Sequence, residues 1–353
     1  MEQRNDCAGL LDLMARPAFC AAGDRVTMVN AQAAAFDIAP GMTLSGLLLT
    51  GAEEYAAFDG GCLYLTLAIG EQRLGAAVTR LADFDVFCLE ELADSRELKA
   101  MALAAQELRQ SLSAIVATAQ QLFPVTGQED DPALRDQVAR INRGLYQMLR
   151  VLNNMSDAGH YAASPARLET RNITAVLEEI FSKASELVSH SGVRLSYRGH
   201  PEAVYCLTDP ESLERAVLNM ISNAIRFSAP GGEIQATLTR RGNRLYLAME
   251  NEGGPIPADV FTRYQRQGSV TDARFGIGLG MVLIRAAAAA HGGTVLVDQP
   301  REGRARVTMS LAIRQNHGTL RTPLMQMDYA GGMDHHLLEL SGSLPPSVYE
   351  KEF

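Results

Sequence analysis

A chain of 353 residues is long enough for two or three domains, each with its own core. Its 47% hydrophobic and 21% charged residues are ordinary globular values, and a formal charge of −9 without any basic cluster argues against a nucleic-acid-binding surface. Cys7, Cys20, Cys62, Cys88 and Cys206 are odd in number and form no C-x-x-C pair. Reduced thiols are therefore expected rather than a disulfide or a zinc site. No apolar stretch reaches the roughly eighteen residues a membrane span needs. Met281 to Ala290 comes nearest and is cut by Arg285. Met1 to Asp6 lacks the apolar region of a signal peptide. The expectation is a cytoplasmic protein with no membrane span.

Residues 8–92 read as a small α/β module. Ala18–Cys20 and Val26–Val29 flank Ala21-Ala22-Gly23-Asp24, a hairpin signal with Gly and Asp in the turn. A helical stretch follows at Ala31–Phe36. Strand-like runs come at Cys62–Ile69, Arg73–Leu81 and Val86–Leu89, with short turns at Gly70-Glu71 and Ala82-Asp83. The order of hairpin, helices and three strands resembles a PAS-type sensor domain; an unrelated α+β dimerisation module is the alternative. No histidine precedes His160 and the chain has no tryptophan, so a histidine-ligated haem in this module is excluded. Cys20, Cys62 and Cys88 sit in the strand-like runs and read as buried packing residues.

The next segment carries a heptad pattern. Leu98, Met101, Ala105, Leu108, Leu112, Ile115, Ala119 and Leu122 alternate three and four apart, as do Leu134, Val138, Ile141, Leu145, Met148, Leu152 and Met155. Phe123 to Asp131 forms the loop, and Pro132 is a good helix start. Two such helices form a hairpin with an apolar seam on each. A lone hairpin cannot cover both seams, so two chains are expected to pair into a four-helix bundle. The rival arrangement is a hairpin packed on its own chain.

Beyond the hairpin, Asn172–Ser189 is an amphipathic helix, followed by strand-like runs at Val193–Tyr197 and Ala203–Leu207. Glu211–Phe227 is a second helix with Asn219 and Asn223 four apart, hence on one face. Neutral amide oxygens there suit a hydrated Mg²⁺ that also binds phosphates, and Arg226 can meet phosphate charge. After the turn Pro230-Gly231-Gly232 come strands Glu233–Thr239 and Arg244–Asn251. Gly276, Gly278 and Gly280 then open the helix Met281–Ala290. Backbone N–H groups can approach an anion where no Cβ intrudes, and the helix N-terminus favours negative charge.

These motifs resemble the ATP-binding domain of sensor histidine kinases. Asn219, Asn223, Phe227 and Ser228 look like its N box, and Asn251-Glu252-Gly253-Gly254-Pro255-Ile256-Pro257 its G1 box. Phe261 with Arg263 and Arg266 resembles the F box, Gly276–Gly280 the G2 box, and His291-Gly292-Gly293 the structural turn that follows. The resemblance implies ATP and Mg²⁺ as cofactors. Nucleotide contacts are expected from Asn219, Asn223, Arg226, Phe227, Asn251, Gly253, Arg266, Gly276, Gly278 and Gly280, with the metal at Asn223. Asn251 stands where the family often has an aspartate that accepts from the adenine amino group. Its carbonyl oxygen can still accept, at a loss of about 1 kcal/mol, or roughly five- to tenfold in affinity. Pro255 replaces a G1 glycine.

The hairpin is similar to the same family's dimerisation and phosphoacceptor domain, whose first helix carries a His-Glu-Leu-Arg-Thr-Pro-Leu-like run. Here it is Gln106-Glu107-Leu108-Arg109-Gln110-Ser111-Leu112. A carboxamide has no basic, nucleophilic nitrogen, so Gln106 cannot replace the acceptor imidazole, and Glu107 has no imidazole to assist. No other histidine sits beside Glu107, and Ser111 replaces the helix-kinking proline.

The expected fold class is α+β multidomain. A PAS-like sensor module spans residues 8–92 and a dimeric helical hairpin, as a four-helix bundle, residues 93–160. A Bergerat-type α/β sandwich ATP-binding domain spans 161–315, and a tail 316–353. In the tail, Asp334–Leu340 can form a short helix with Leu344, Val348 and Tyr349 as anchors, or remain disordered. The functional expectation is a homodimeric signalling protein that binds Mg-ATP, has lost autophosphorylation, and regulates a partner such as a response regulator through its nucleotide-dependent conformation. The alternative is an active two-component enzyme: a response-regulator phosphatase, or a kinase with an unrecognised acceptor. A related ATP-binding serine kinase or chaperone-type ATPase is disfavoured, since neither needs the heptad hairpin.

Overall fold

The computed structural model describes residues 11–91 except residue 15, helical positions 100, 103–106, 108, 112 and 115, and residues 132–161, 167–253, 279–314 and 333–350. In the N-terminal module, β1 (Ala18–Ala22) and β2 (Arg25–Val29) form the expected hairpin around Gly23-Asp24. Asn30 then caps helix α1 (Ala31–Ala34). Its buried amide also accepts from Ala18 N and donates to the Leu11 and Arg16 carbonyls, which ties the chain start to the sheet. A 3-10 turn at Leu44–Gly46 and helix α2 (Ala52–Ala56) lead into β3 (Cys62–Ile69), β4 (Gln72–Arg80) and β5 (Asp85–Glu91), an antiparallel meander. The strands run β2-β1-β5-β4-β3. Phe19 and Phe87 stack at 4.6 Å in a core of Val, Leu, Ile and Phe from the strands and from the segments that link β2 to β3. Burial pushes the Cys62 thiol up to about 11, which makes it a packing residue at neutral pH.

Helix α3 (Pro132–Tyr161) is the second heptad helix. The α/β unit that follows comprises β6 (Glu169–Asn172), α4 (Ile173–Ser189), β7 (Arg194–Arg198), β8 (Tyr205–Thr208), α5 (Pro210–Phe227), β9 (Glu233–Arg241), β10 (Arg244–Glu252), α6 (Leu279–Ala290), β11 (Val295–Arg301) and β12 (Arg304–Ala312). Strands β11 and β12 and the short β6 have no counterpart among the expected elements; Pro300 near the end of β11 interrupts the strand signal there. One face of the sheet β11-β12-β10-β9-β7 is covered by α4, α5 and α6, whose apolar faces form the largest core.

The sheet does not stop at the module boundary. Val295, Leu296 and Val297 of β11 pair antiparallel with Tyr64, Leu63 and Cys62 of β3, giving one ten-stranded sheet, β2-β1-β5-β4-β3-β11-β12-β10-β9-β7. Gly61 permits the approach: its φ is +87°, and a Cβ there would strike the Val297 carbonyl. The tail forms helix α7 (His335–Leu340), capped by Asp334, and a 3-10 turn at Pro346–Tyr349. Leu337, Leu338, Leu340, Leu344 and Tyr349 are buried in the main core, so this segment docks on the body of the protein instead of lying disordered. Among the described residues no helix is long and apolar enough to cross a membrane.

Candidate functional site

Helix α5 is the scaffold of the site. Asp209 caps it by accepting from Ser212 N at 3.1 Å, and Pro210 opens the first turn with φ already set for helix. The helix is buried on nearly every side, so its polar side chains need partners. Asn219, 1% exposed, has them. Its Nδ2 donates to the Arg215 carbonyl at 2.9 Å and to Glu339 Oε2 at 3.3 Å, while its Oδ1 accepts from Arg150 Nη2 at 3.2 Å. Asn223 is half-buried, with Nδ2 3.8 Å from the Met281 sulfur in the first turn of α6. Just before that methionine, a Cβ on Gly280 would stand 3.0 Å from Asn219 Oδ1. The first turn of α6 therefore lies directly on the asparagine face, and the small residue is what lets it.

The far end of α5 meets the end of β10. Ser228 bridges to Gly253, and Ala229 N donates to the Glu252 carbonyl at 3.1 Å. A Cβ on Gly253 would collide with the Phe227 carbonyl and stand 2.8 Å from Asn251 Nδ2. Asn251 is 6% exposed, and among the described residues its Nδ2 has no hydrogen-bond partner. A buried donor left so costs about 1–3 kcal/mol, which a ligand acceptor would recover. Arg226 is half-buried, and its pKa is pulled down to about 10, first by burial and then by the Arg150 charge. Phe227 is 43% exposed.

Seven of the residues singled out from the sequence thus gather where α5, β10 and α6 meet: Asn219, Asn223, Arg226, Phe227, Asn251, Gly253 and Gly280. Arg266, Gly276, Gly278 and Glu107 lie outside the described residues. Gln106 is helical and exposed. The donor set fits a magnesium nucleotide: amide oxygens for a hydrated cation, guanidinium groups for phosphate, glycines that leave room, and an amide offering both donor and acceptor to a base edge.

The structure adds three residues that sequence reasoning missed. Arg150 of α3, Arg215 of α5 and Glu339 of α7 converge on Asn219. Glu339 lies 3.5 Å from Arg150 Nε and 3.3 Å from Arg215 Nε, and its side chain is fully buried. Arg215, four residues before Asn219, shares its helical face, and that spacing was the available signal. Nothing in the heptad pattern marks Arg150, and Glu339 lies 120 residues beyond Asn219.

Residues 208–315 match the family described as histidine kinase-, DNA gyrase B- and HSP90-like ATPase. Hybrid signal transduction histidine kinase D of Dictyostelium discoideum is 26% identical over 70% of this chain and 17% of its own length. Signal transduction histidine-protein kinase/phosphatase MprB of Mycolicibacterium vanbaalenii is 29% identical over 75% of this chain and 56% of its own. The chain thus spans little more than half the length of one of these relatives and a small part of the other. Full-length ShkA, solved in complex with AMPPNP, is 20% identical and covers 63% of this chain and 47% of its own, with a TM-score of 0.49. The family match supports an ATPase domain of the histidine kinase type over residues 208–315, and both curated relatives are named as signal transduction histidine kinases.

Proposed function

We propose that this chain is a sensor histidine kinase-like signalling protein that binds Mg-ATP and has lost its own phosphoacceptor. The observation that carries the reading is the meeting of Asn219 and Asn223 with the Gly280 turn, beside the buried, unpartnered amide of Asn251. Asn223, with a half-buried amide, would hold the cation. Arg226 supplies positive charge for phosphate, and the low dielectric of this half-buried place strengthens its attraction for an anion. Asn251 can donate from Nδ2 and accept at Oδ1, the complement of a base edge that offers one acceptor and one donor. Bound Mg-ATP would supply a transferable phosphoryl group with part of its charge already neutralised.

Gln106 marks where the reading departs from catalysis. Its amide is exposed on the first hairpin helix and lacks a nucleophilic nitrogen. We read the consequence as regulation of a partner, such as a response regulator, by nucleotide-dependent conformation in a homodimer. The strand order β2-β1-β5-β4-β3, with helices between β2 and β3, supports a PAS-like sensor in front. A second reading, phosphatase toward a response regulator, draws on the same exposed amide, since a carboxamide can orient an attacking water. The kinase/phosphatase name of the relative MprB is in keeping with it.

The test is thermal. Millimolar Mg-ATP should raise the Tm by mass action. Asn223→Ala should remove most of that shift, and Asn251→Asp should preserve or enlarge it. Absence of any shift in the wild-type chain would reject nucleotide binding at ordinary cellular levels. Labelled ATP should leave no acid-labile phosphate on the protein; a labelled wild-type chain would reject the loss of the acceptor.

A further inference from the structure

The tail brings a buried carboxylate onto one of the two asparagines of the nucleotide reading. Glu339 is fully buried between Arg150 and Arg215 and accepts from Asn219 Nδ2. With Arg150 on Oδ1 and the Arg215 carbonyl on Nδ2, both Asn219 donors and one of its two acceptor lone pairs are taken. The turn after α7 extends the contact. The Ser341 carbonyl accepts from Arg143 Nε at 3.2 Å and from Gln147 Nε2 at 3.0 Å. A Cβ on Gly342 would stand 2.8 Å from Arg150 Nη1 and 3.4 Å from Arg226 Nη2, so bare backbone lies against both guanidinium groups. Ser343 Oγ meets Ser222 Oγ at 3.0 Å, and the Tyr349 carbonyl accepts from Asn142 Nδ2 at 2.9 Å.

A tail that only sealed the core would gain more from an apolar residue at 339. Burying a carboxylate is costly before its pairing returns anything, and a well-packed hydrophobic residue is often as stable or more so. Here the carboxylate sits between two arginines and against the first asparagine of α5. While it serves Glu339 and the Arg215 carbonyl, this amide has no donor left for a nucleotide.

We propose that residues 333–350 form an intramolecular strap that closes the asparagine face of α5, with the Glu339 carboxylate standing as the anion that nucleotide phosphate displaces. Strap docking and Mg-nucleotide binding are then mutually exclusive, and the apparent nucleotide affinity is set by the fraction of molecules with the strap released. Arg150 belongs to the hairpin helix, so strap release also removes the carboxylate that α3 and α5 share. The inference rests on the nucleotide reading of this site.

The experiment uses the full chain and Mg-ATP titrated by calorimetry. In Ser222→Cys with Ser343→Cys, the paired positions are close enough for a disulfide. The oxidised form should bind at least about tenfold more weakly than the same protein after reduction, which is about 1.4 kcal/mol. Glu339→Lys sets like charge against Arg150 and Arg215. It should bind at least about tenfold more tightly than wild type and speed amide hydrogen exchange over residues 333–350. Equal affinity in the oxidised, reduced and Glu339→Lys proteins, all of them binding, would overturn the strap and leave the nucleotide reading standing. Absence of binding in every form, Glu339→Lys included, would overturn both.

Discussion

His291 shows how a single side chain in this fold is assigned its proton. Its Nε2 accepts from Asp209 N at 3.0 Å, the residue that caps α5, and its Nδ1 faces the Ala287 carbonyl at 2.7 Å. One ring nitrogen must accept and the other must donate, so the imidazole is neutral, and burial holds its pKa below the usual histidine value. His336, buried with Nε2 3.3 Å from the Ile180 carbonyl, is shifted the same way. The unfolded chain therefore binds more protons than the native one below about pH 6.5, and stability is full above that value and lost as pH falls. The Tm should drop between pH 7.5 and 5.5. His291→Gln should lower the Tm at pH 7.5 yet flatten that drop, because the amide can accept from Asp209 N without titrating. An equally steep drop in the variant would assign the pH dependence elsewhere.

At the scale of the element, helix α3 divides its apolar stripe between two uses. Leu145 and Leu152 are buried against the rest of the chain, whereas Ile141 and Met148 are 54% and 50% exposed. The first hairpin helix does the same: Ala105 and Leu112 are buried, and Leu108 and Ile115 are each 55% exposed. Meanwhile α3 packs on α6, α7 and the Pro346–Tyr349 turn, with Tyr146 and Tyr349 rings 5.1 Å apart. The helix thus packs on its own chain while Ile141 and Met148 stay exposed. Charging Leu112 or Leu145 would injure the chain's own core. Met148→Glu is the cleaner probe: an exposed position tolerates it within about 0.5 kcal/mol in a monomer, while a bundle core would receive an unpaired charge. Light scattering should find monomer for Met148→Glu and dimer for the parent, with the two-state melt of the monomer little changed. A persistent dimer would move the interface to another surface.

Across the whole molecule, the two modules are joined by more than the β3–β11 pairing. Arg285 of α6 reaches Glu90 of β5 at 2.7 Å, with its guanidinium carbon 4.5 Å from the centre of the Tyr64 ring. Tyr64 in turn donates to Glu90 at 2.6 Å. Farther along the seam, Arg244 pairs with Glu54 at 2.7 Å, and Ser310 donates to the same carboxylate. Removing one partner of a buried pair leaves an uncompensated charge, so Arg285→Ala should cost about 3 kcal/mol in urea unfolding. Arg285→Met with Glu90→Gln should recover at least half, since the amide still accepts from Tyr64 and no bare charge remains. A single variant as stable as the parent would mean that the ion pair does not bind the modules together.

Local chemistry was enough for most of the elements and for half of the site. Alternation and turn residues located β1 to β5, heptads located α3, and helical patterning located α4 and α5 within a residue or two. Asn219, Asn223 and Gly280 were legible because helical spacing and glycine chemistry act over a few residues. What depended on distant parts of the chain was not legible. Arg285 read as a charge that breaks an apolar run, and only the fold shows it meeting Glu90. The edge pairing of β3 with β11 uses backbone groups that any residues could supply, so no side-chain pattern announces it. Arg150, Arg215 and Glu339 came together because the chain folds a hairpin helix, an ATPase helix and a tail onto one asparagine. A buried charge is stable only where tertiary packing delivers its partner, and that delivery is what the sequence does not display.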